Sequence, residues 1–244
     1  IFREVMSACR ALENRVTVAF LGPVGTYSEQ AVWRQFGQAV EALPCVSIDE
    51  VFRSVEAGTA GFGVVPVENS TEGTINRTLD LLLQTTLSIS GEVALPVHHS
   101  LMTRSGNMGQ ITRICAHSQA LAQCQSWLNQ HYPNIERQAV KRYGLAIVHA
   151  HIQDDPHNRT RFFVVGRLMP SASGKDQTSL VLSVPNKPGA VYELLAPLAR
   201  HGVSMTRFES RPARTGRWDY YFYVDIEGHA NDATLPVATA AVRV

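Results

Sequence analysis

The sequence predicts an α/β domain of two lobes, followed by a smaller α+β domain. Apolar strands alternate with amphipathic helices over residues 16–84, an order typical of a mainly parallel sheet flanked by helices. A further strand, helix and strand follow at residues 113–140, after an extended segment that is broken at Pro96. Beyond residue 177 the order becomes strand, helix, strand, strand, which is the first part of a ferredoxin-like fold.

Each predicted strand of the first lobe is followed by a helix. The predicted strands cover residues 16–21, 46–48 and 62–67. The helix after the second strand has the clearest pattern, with apolar residues at positions i, i+3, i+4 and i+7. These residues are Ile48, Val51, Phe52 and Val55. In such sheets ligands bind beyond the carboxyl ends of the strands. We therefore expect a site at the turns that follow the first and third strands.

The second lobe is predicted near residues 97–159, and the chain returns to the first lobe along residues 160–166. Two lobes joined by extended segments are similar to periplasmic binding proteins, in which a cleft separates the lobes. Only residues 141–144 separate the strand that ends at Val140 from the next apolar run. Parallel neighbours need a crossover of a dozen or more residues. The sequence thus predicts a missing segment near residues 141–143, with an antiparallel hairpin as the alternative.

Composition bears on the class of partner and on the compartment. A formal charge of +1 gives no reason to expect nucleic acid or an anionic membrane as a partner. The cysteines have no paired spacing, so neither a disulfide framework nor a zinc site is indicated. They are Cys9, Cys45, Cys115 and Cys124. No carboxylate or cysteine pattern accompanies His98 and His99, and we expect no metal there. No apolar run approaches a membrane span and no signal-peptide pattern opens the chain, so the cytoplasm is the expected compartment.

The strongest candidate for chemistry is the triplet Thr160-Arg161-Phe162, which stands directly before an apolar run that closes on Gly166. A hydroxyl beside a guanidinium can present a neutral hydrogen-bond donor next to a fork that binds a carboxylate. The aromatic ring can exclude water from the same place. The alternative is an ordinary loop that enters an edge strand.

Polar side chains also follow two strands of the first lobe at helix starts, where free backbone amides favour an anion. The first turn carries Thr26, Tyr27 and Ser28, and the second carries Asn69, Ser70 and Thr71. Ser118 occupies a similar helix start in the second lobe. Helix capping is the alternative for these residues, because Ser, Thr and Asn are common caps.

Two further motifs lie downstream, Asn186-Lys187-Pro188-Gly189-Ala190-Val191 and Glu209-Ser210-Arg211-Pro212. Together with the two polar turns and the Thr160 triplet, in this order, they resemble prephenate dehydratases that carry a C-terminal ACT domain, which senses amino acids. Each motif alone is weak, but the set in matching order is specific. The resemblance covers nearly the whole chain.

The resemblance implies an enzyme that converts prephenate to phenylpyruvate in phenylalanine biosynthesis, losing carbon dioxide and water without a cofactor. Thr160 would hydrogen-bond the departing hydroxyl, Arg161 would bind a carboxylate, and Phe162 would form an apolar wall. The two polar turns and Ser118 would contact the rest of the substrate. The rival hypothesis is a non-catalytic two-lobed protein that binds a small molecule and senses an amino acid through its ACT domain.

For the ACT domain, the resemblance implies feedback inhibition by phenylalanine, which would bind between subunits of a homodimer or tetramer. The implied contacts are Asn186, Gly189, Ala190 and Val191 before a helix, and Glu209, Ser210 and Arg211 in a strand. Gly189 would let the backbone approach the effector. A single ACT unit exposes a sheet edge, which favours pairing of subunits.

The expected domain boundaries follow from these motifs. We expect the catalytic domain at residues 15–169, a flexible linker at 170–177, and the ACT domain at 178–244, without its complete final helix and strand. Residues 1–14 are similar to the last helix of the chorismate mutase domain in bifunctional chorismate mutase–prephenate dehydratases. A generic N-terminal helix is the alternative.

Overall fold

A computed structural model describes residues 2–103, 106–109, 111–139, 146–184, 187–213 and 220–232. The chain divides into two compact units, Ile1–Met169 and Pro170–Val244. The predicted fold class, a two-lobed α/β domain followed by an α+β domain, is confirmed. The gap predicted near residues 141–143 lies outside the described residues, as do residues 233–244 at the end of the ACT domain.

The first unit contains the following elements. Its helices are α1 (Phe2–Glu13), α2 (Tyr27–Phe36), α3 (Ile48–Glu56), α4 (Asn76–Leu82), α5 (Ser118–Ala122) and α6 (Gln125–His131). Its strands are β1 (Thr17–Leu21), β2 (Glu41–Cys45), β3 (Phe62–Asn69), β4 (Gly73–Thr74), β5 (Ser88–Pro96), β6 (Leu101–Thr103), β7 (Arg113–Ala116), β8 (Glu136–Ala139), β9 (Ala146–His149) and β10 (Arg159–Gly166).

A sheet with the strand order β2-β1-β3-β10-β5 forms the first lobe, and β4 pairs with β3. β1 runs parallel to both of its neighbours, whereas β10 lies antiparallel between β3 and β5. In this register Thr160 is opposite Asn69 on one side and Leu95 on the other. The strand that returns from the second lobe thus begins beside the end of β3, where one of the polar turns starts.

Helices cover both faces of this sheet. On one face, Val32 of α2 is buried in a core cluster with Phe20, Val93 and Phe162. On the other face α3 approaches so closely that a Cβ atom at Gly63 would lie 2.8 Å from Cγ1 of Val51. Contacts that short do not occur between packed side chains, so this crossing of helix and strand requires a glycine.

The second strand lies earlier in the chain than the apolar pattern suggested. β2 covers Glu41–Cys45 and not residues 46–48, because Ser47 begins α3 as its N-cap. The Ser47 hydroxyl accepts a hydrogen bond from the Glu50 amide at 3.2 Å, and the Glu50 carboxylate accepts one from the Val46 amide at 2.7 Å. This variant of the capping box, in which Glu50 binds the amide before the N-cap residue, removes residues 46–48 from the sheet. β2 tolerates Pro44 because it is an edge strand.

The second lobe is built from two small strand pairs and two short helices. β6 pairs with β9 antiparallel, and β7 pairs with β8 parallel. Its core cluster consists of Leu101, Ile114, Cys124, Leu128 and Ile152. Within the described ranges, therefore, β9 pairs with β6 and does not form a hairpin with β8.

The second unit contains β11 (Gln177–Val184), α7 (Ala190–Arg200), β12 (Met205–Pro212) and β13 (Tyr220–Glu227). Its described strands form an antiparallel sheet in the order β11-β13-β12, so β12 lies at an edge. α7 packs Leu194 and Leu198 against Phe222, Val224 and Ile226. In neither unit is any described helix long and apolar enough to cross a membrane.

Candidate functional site

The candidate site is centred on the pair formed by Thr160 at the start of β10 and Asn69 at the end of β3. The Asn69 side-chain oxygen accepts hydrogen bonds from the Thr71 amide at 3.0 Å, the Thr71 hydroxyl at 2.6 Å and the Glu72 amide at 3.1 Å. These donors fix the orientation of the Asn69 amide, whose nitrogen then donates to Oγ1 of Thr160 at 2.9 Å. Because an amide nitrogen only donates, the Thr160 oxygen accepts, and its own proton points away from Asn69.

Two residues outside the predicted set join this pair to the second lobe. Asn158 is 1% exposed, and its side-chain oxygen accepts a hydrogen bond from the Asn69 amide at 2.9 Å. Its own amide donates to Oε1 of Gln123 at 2.9 Å. Gln123 is the C-cap of α5 and donates across the cleft to the Thr71 hydroxyl at 3.2 Å and to Glu72 at 3.3 Å. The site therefore includes side chains from both lobes.

Only part of this arrangement has a signal in the sequence. Asn158 stands two residues before Thr160, so the strand periodicity places it on the same side of the chain. Gln123 lies 35 residues before Asn158, on a different element, and no local pattern connects the two.

Arg161 is held by two carboxylates of the protein itself. Its Nε and Nη2 atoms donate to the two oxygens of Glu92 at 3.0 and 2.7 Å, and Nη1 donates to Glu68 at 3.3 Å. The guanidinium also lies 5.8 Å from the centre of the Phe163 ring. Consecutive strand residues point to opposite faces of a sheet. The structure therefore does not bring the fork of Arg161 to the Thr160 hydroxyl, and Glu92 occupies that fork in a bidentate ion pair.

Phe162 is 1% exposed and belongs to the core cluster beneath α2, together with Phe20 and Val164. The expectation for this ring was an apolar wall of the cleft. The structure places it in the core, where it anchors the start of β10 against the first lobe.

In the first polar turn, Tyr27 fastens α2 to the segment that crosses to the second lobe. Its hydroxyl donates to the carbonyl of His98 at 2.6 Å and accepts from the amide of His98 at 2.9 Å. Burial raises the pKa of Tyr27, which keeps the hydroxyl protonated and able to donate. Thr26 makes no side-chain cap; its hydroxyl donates to the carbonyl of Pro23 at 3.0 Å. Ser28 is buried in the first turn of α2.

The sequence places the second polar turn at a helix start, but in the structure this turn connects β3 to β4, and α4 begins only at Asn76. The Ser70 hydroxyl accepts from the Arg159 amide at 2.9 Å, and Thr71 bonds to Asn69 as described above. Ser118 is exposed at the start of α5, where the ring of His117 takes the capping role by accepting from the Gln119 amide at 3.3 Å. Asn69 and Thr71 thus bond to Thr160 and Gln123, and Ser70 bonds to Arg159. Among the described residues, Ser118 has no side-chain hydrogen bond to this group.

The predicted effector residues lie on two elements of the second unit. Gly189 precedes α7 with a φ angle of 82°, in the left-handed region that glycine adopts without strain. Ala190 and Val191 form the first turn of α7, while Glu209, Ser210 and Arg211 lie on the edge strand β12. Glu209 accepts a hydrogen bond from Arg207 at 2.8 Å. Asn186 lies outside the described residues.

Across the described residues, no group of three histidine, cysteine, aspartate or glutamate side chains is arranged to hold a metal ion. The thiol nearest the candidate site belongs to Cys124, beside Gln123. Burial raises the pKa of Cys124 to about 12, so this thiol is protonated at neutral pH. The hydrogen bonds of the site connect the neutral side chains of Asn69, Thr71, Gln123, Asn158 and Thr160, with the Glu72 carboxylate as a further acceptor.

Comparison with known proteins identifies the family. The prephenate dehydratase family model matches residues 18–141 and 136–170, and the ACT domain model matches residues 178–235. A bifunctional chorismate mutase/prephenate dehydratase of Pseudomonas aeruginosa is 46% identical over 96% of this chain and 72% of its own length. A prephenate dehydratase of Amycolatopsis methanolica is 32% identical over 93% of this chain and 84% of its own length.

A solved structure shares the fold of the described chain. The prephenate dehydratase of Arthrobacter aurescens, in complex with L-Phe, matches with a TM-score of 0.83 and 33% identity, covering 93% of this chain and 85% of that one. Sequence motifs, fold and both family models agree from the first strand to the second unit. The chain belongs to the prephenate dehydratase family and carries an ACT domain.

Proposed function

We propose that Thr160 is the group that hydrogen-bonds the departing hydroxyl of prephenate. The family assignment makes the chain a prephenate dehydratase, which removes carbon dioxide and water from prephenate to give phenylpyruvate. The electron pair of the breaking carbon–carboxylate bond enters the ring, and the ring hydroxyl leaves as aromaticity forms. The observation that carries the proposal is the Asn69 amide, 2.9 Å from Oγ1 of Thr160, since it turns the Thr160 proton toward other acceptors.

The role of Thr160 is to orient and stabilise the leaving group. A threonine hydroxyl is too weak an acid to give up its proton unaided, but a fixed donor lowers the barrier if it binds the developing charge more tightly than the ground state. The Pseudomonas and Amycolatopsis relatives are named as enzymes, which disfavours the rival hypothesis of a non-catalytic binding protein. The cytoplasm is the proposed compartment, and cell fractionation tests it.

We predict that Thr160→Val, which removes the hydroxyl and keeps the shape, lowers kcat by about 10²–10⁴-fold. Thr160→Ser keeps a hydroxyl at the same place and retains most of the activity. The measurement is phenylpyruvate formation from prephenate by both variants. A valine variant within a few-fold of the parent would remove Thr160 from the mechanism.

Arg161 has a positioning role in this proposal. Its fork grips Glu92 and its third nitrogen reaches Glu68, so the guanidinium ties β10 to both neighbouring strands. The carboxylates of the substrate are then bound by the neutral donors of the polar turns, for which Thr26, Ser70 and Ser118 are the proposed residues. Thr26 and Ser118 stand at helix starts, whereas Ser70 lies in the turn between β3 and β4. Neutral donors bind a dianion without burying an excess of positive charge.

Arg161→Lys keeps the charge but loses the planar fork, so it should lower the unfolding free energy by about 1–2 kcal/mol and lower kcat, while KM stays within about twofold. Arg167→Lys is the matched control, because the Arg167 guanidinium donates to a backbone carbonyl, that of Glu56, at 2.8 Å. Thermal unfolding and steady-state kinetics measure both effects. A large rise in KM without loss of stability would mean that Arg161 binds the substrate directly.

Phenylalanine is the proposed feedback inhibitor, bound at the second unit between subunits of a homodimer or tetramer. The Arthrobacter relative was solved with L-Phe. In this chain the left-handed Gly189 stands directly before α7, where the Ala190 amide donates to the carbonyl of Lys187 at 3.2 Å, and the amide of Val191 is the proposed donor to an amino-acid carboxylate. The edge strand β12 carries Glu209 and Arg211 and has an edge available for pairing with another subunit.

Gly189→Ala should weaken phenylalanine inhibition roughly tenfold or more, since the side chain strains the left-handed backbone and crowds the ligand. Gly174→Ala is a matched control: both glycines have φ near +80°, and a Cβ at either meets nothing within 4 Å. Inhibition curves and thermal melts with and without phenylalanine measure the effect. Equal inhibition of the two variants would place the effector elsewhere.

Residues 1–14 are proposed as the last helix of a chorismate mutase-like domain. The spacing of Phe2, Val5, Cys9 and Leu12 is that of a seam between packed helices, and all four side chains are exposed. The opposite face of α1 is polar and docks on the first lobe: Glu4 accepts from the Gln38 amide at 3.0 Å and Ser7 from the Ala39 amide at 3.3 Å. The named bifunctional relatives support this proposal.

The natural full-length product should therefore convert chorismate to prephenate. Leu12→Asp on the exposed seam should reduce that activity to below about a tenth, whereas Arg10→Asp, off the seam, should leave it near the parent level. Absence of mutase activity in the natural product, or equal effects of the two variants, would favour a generic N-terminal helix.

A further inference from the structure

We infer that Gln123 is a positioning residue that closes a ring of hydrogen bonds between the lobes and thereby orients Thr160. The ring consists of Thr71, Asn69, Asn158 and Gln123, each donating to the next. The Thr71 hydroxyl donates to Asn69, Asn69 to Asn158, Asn158 to Gln123, and Gln123 back to Thr71. The inference rests on the proposed function of Thr160.

The direction of the ring follows from the backbone. The amides of Thr71 and Glu72 both donate to one side-chain atom of Asn69, which must be its oxygen. The Asn69 nitrogen therefore faces Asn158 and requires an oxygen there. The Asn158 nitrogen in turn requires Oε1 of Gln123. Each assignment forces the next.

The last bond of the ring gives an independent check. The Thr71 hydroxyl has one proton, which it donates to Asn69 at 2.6 Å, so it can only accept from Gln123. The atom of Gln123 that faces Thr71 must therefore be its nitrogen, in agreement with the assignment reached through Asn158. The same nitrogen is 3.3 Å from Glu72, and an ionised carboxylate also accepts. Hydrogen bonds that all run one way around a ring strengthen one another.

Thr160 and His99 are also attached to this ring from outside. Asn69 donates to Thr160 with its second proton, and Nε2 of His99 lies 2.8 Å from Oε1 of Gln123. Since Oε1 accepts, His99 donates from Nε2, which fixes its tautomer. Gln123 is contributed by a helix of the second lobe, whereas Asn69 and Thr71 belong to the first. Approach of the lobes thus completes the ring and adds Asn158 and Gln123 to the groups that hold the Asn69 amide facing Thr160.

A substitution that keeps the shape of Gln123 but removes its donor separates this role from simple packing. In Gln123→Glu, an oxygen replaces the nitrogen that faces the Thr71 hydroxyl and Glu72. That oxygen completes the ring only when it carries a proton, and the neighbouring Glu72 favours the protonated form. The active form is then present below the pKa of the introduced carboxyl and is lost as the pH rises through it.

The experiment compares kcat across pH for the parent, Gln123→Glu and Gln125→Glu. Gln125 is exposed two residues away and receives the same charge. We expect the Gln123 variant to approach the parent at acidic pH and to lose about tenfold in kcat per pH unit above its new pKa, with KM nearly constant. The Gln125 variant should follow the parent throughout. A Gln123 variant with the pH profile of the parent, even at a constant lower level, would overturn the inference.

Repeating the Gln123 substitution in a Thr160→Val protein distinguishes this inference from the proposed role of Thr160. If Gln123 acts through Thr160, then Gln123→Glu should cause little further loss in a Thr160→Val protein at alkaline pH. Losses that multiply would overturn the inference and leave the role of Thr160 intact. A Thr160→Val protein as active as the parent would overturn the proposed mechanism first.

Thr71 offers a route that does not depend on folding of the Gln123 variant. Thr71 is exposed, and Thr71→Val breaks the ring without placing a charge in it. We expect kcat to fall about tenfold with KM within about twofold, and Thr71→Ser to restore the parent values. A rise in KM with unchanged kcat would identify Thr71 as a substrate ligand and would overturn the ring as the positioning device.

Discussion

The antiparallel insertion of β10 between β3 and β5 is the constraint on which the rest of the first unit depends. Because β10 comes back from the second lobe, its first residues must lie where the chain leaves one lobe for the other. Register with β3 sets Thr160 opposite Asn69. Burial of Phe162 and the ion pairs of Arg161 hold that register from the two faces of the sheet. The triplet thus combines the proposed chemistry of Thr160 with the packing of Phe162 and the strand anchoring of Arg161.

Neutral groups suit the proposed reaction. Prephenate carries two carboxylates, and the barrier falls when charge on the departing hydroxyl is stabilised more than the ground state. A cationic side chain near Thr160 would bind the ground-state carboxylates as firmly as the transition state. In the structure the guanidinium of the triplet, that of Arg161, is instead paired with Glu92 and Glu68. The hydroxyl and amide dipoles around Asn69 are held in place before substrate arrives, so little reorganisation is needed.

The sequence predicted the fold class because strand and helix periodicities are local properties. It misplaced β2, since the apolar pattern at residues 46–48 concealed the capping box of Ser47 and Glu50. It singled out Thr160 and Asn69, which the structure brings to 2.9 Å from each other, but it grouped Arg161 with Thr160 although the alternation of strand residues places them on opposite faces. Gln123 was not predicted, because its contact with Asn158 forms only in the tertiary structure and no local sequence pattern indicates it.

The two hydrogen bonds between the Tyr27 hydroxyl and the backbone of His98 limit how the two lobes can move. One phenol oxygen both gives and receives a hydrogen bond at the same residue, so this point of the crossing segment is pinned to α2. Any opening of the cleft that keeps these two hydrogen bonds must be a rotation of the lobes about the contact between Tyr27 and His98. A displacement that breaks it exposes the His98 amide to solvent at once, so hydrogen exchange at that single amide separates pivoting of the lobes from their detachment.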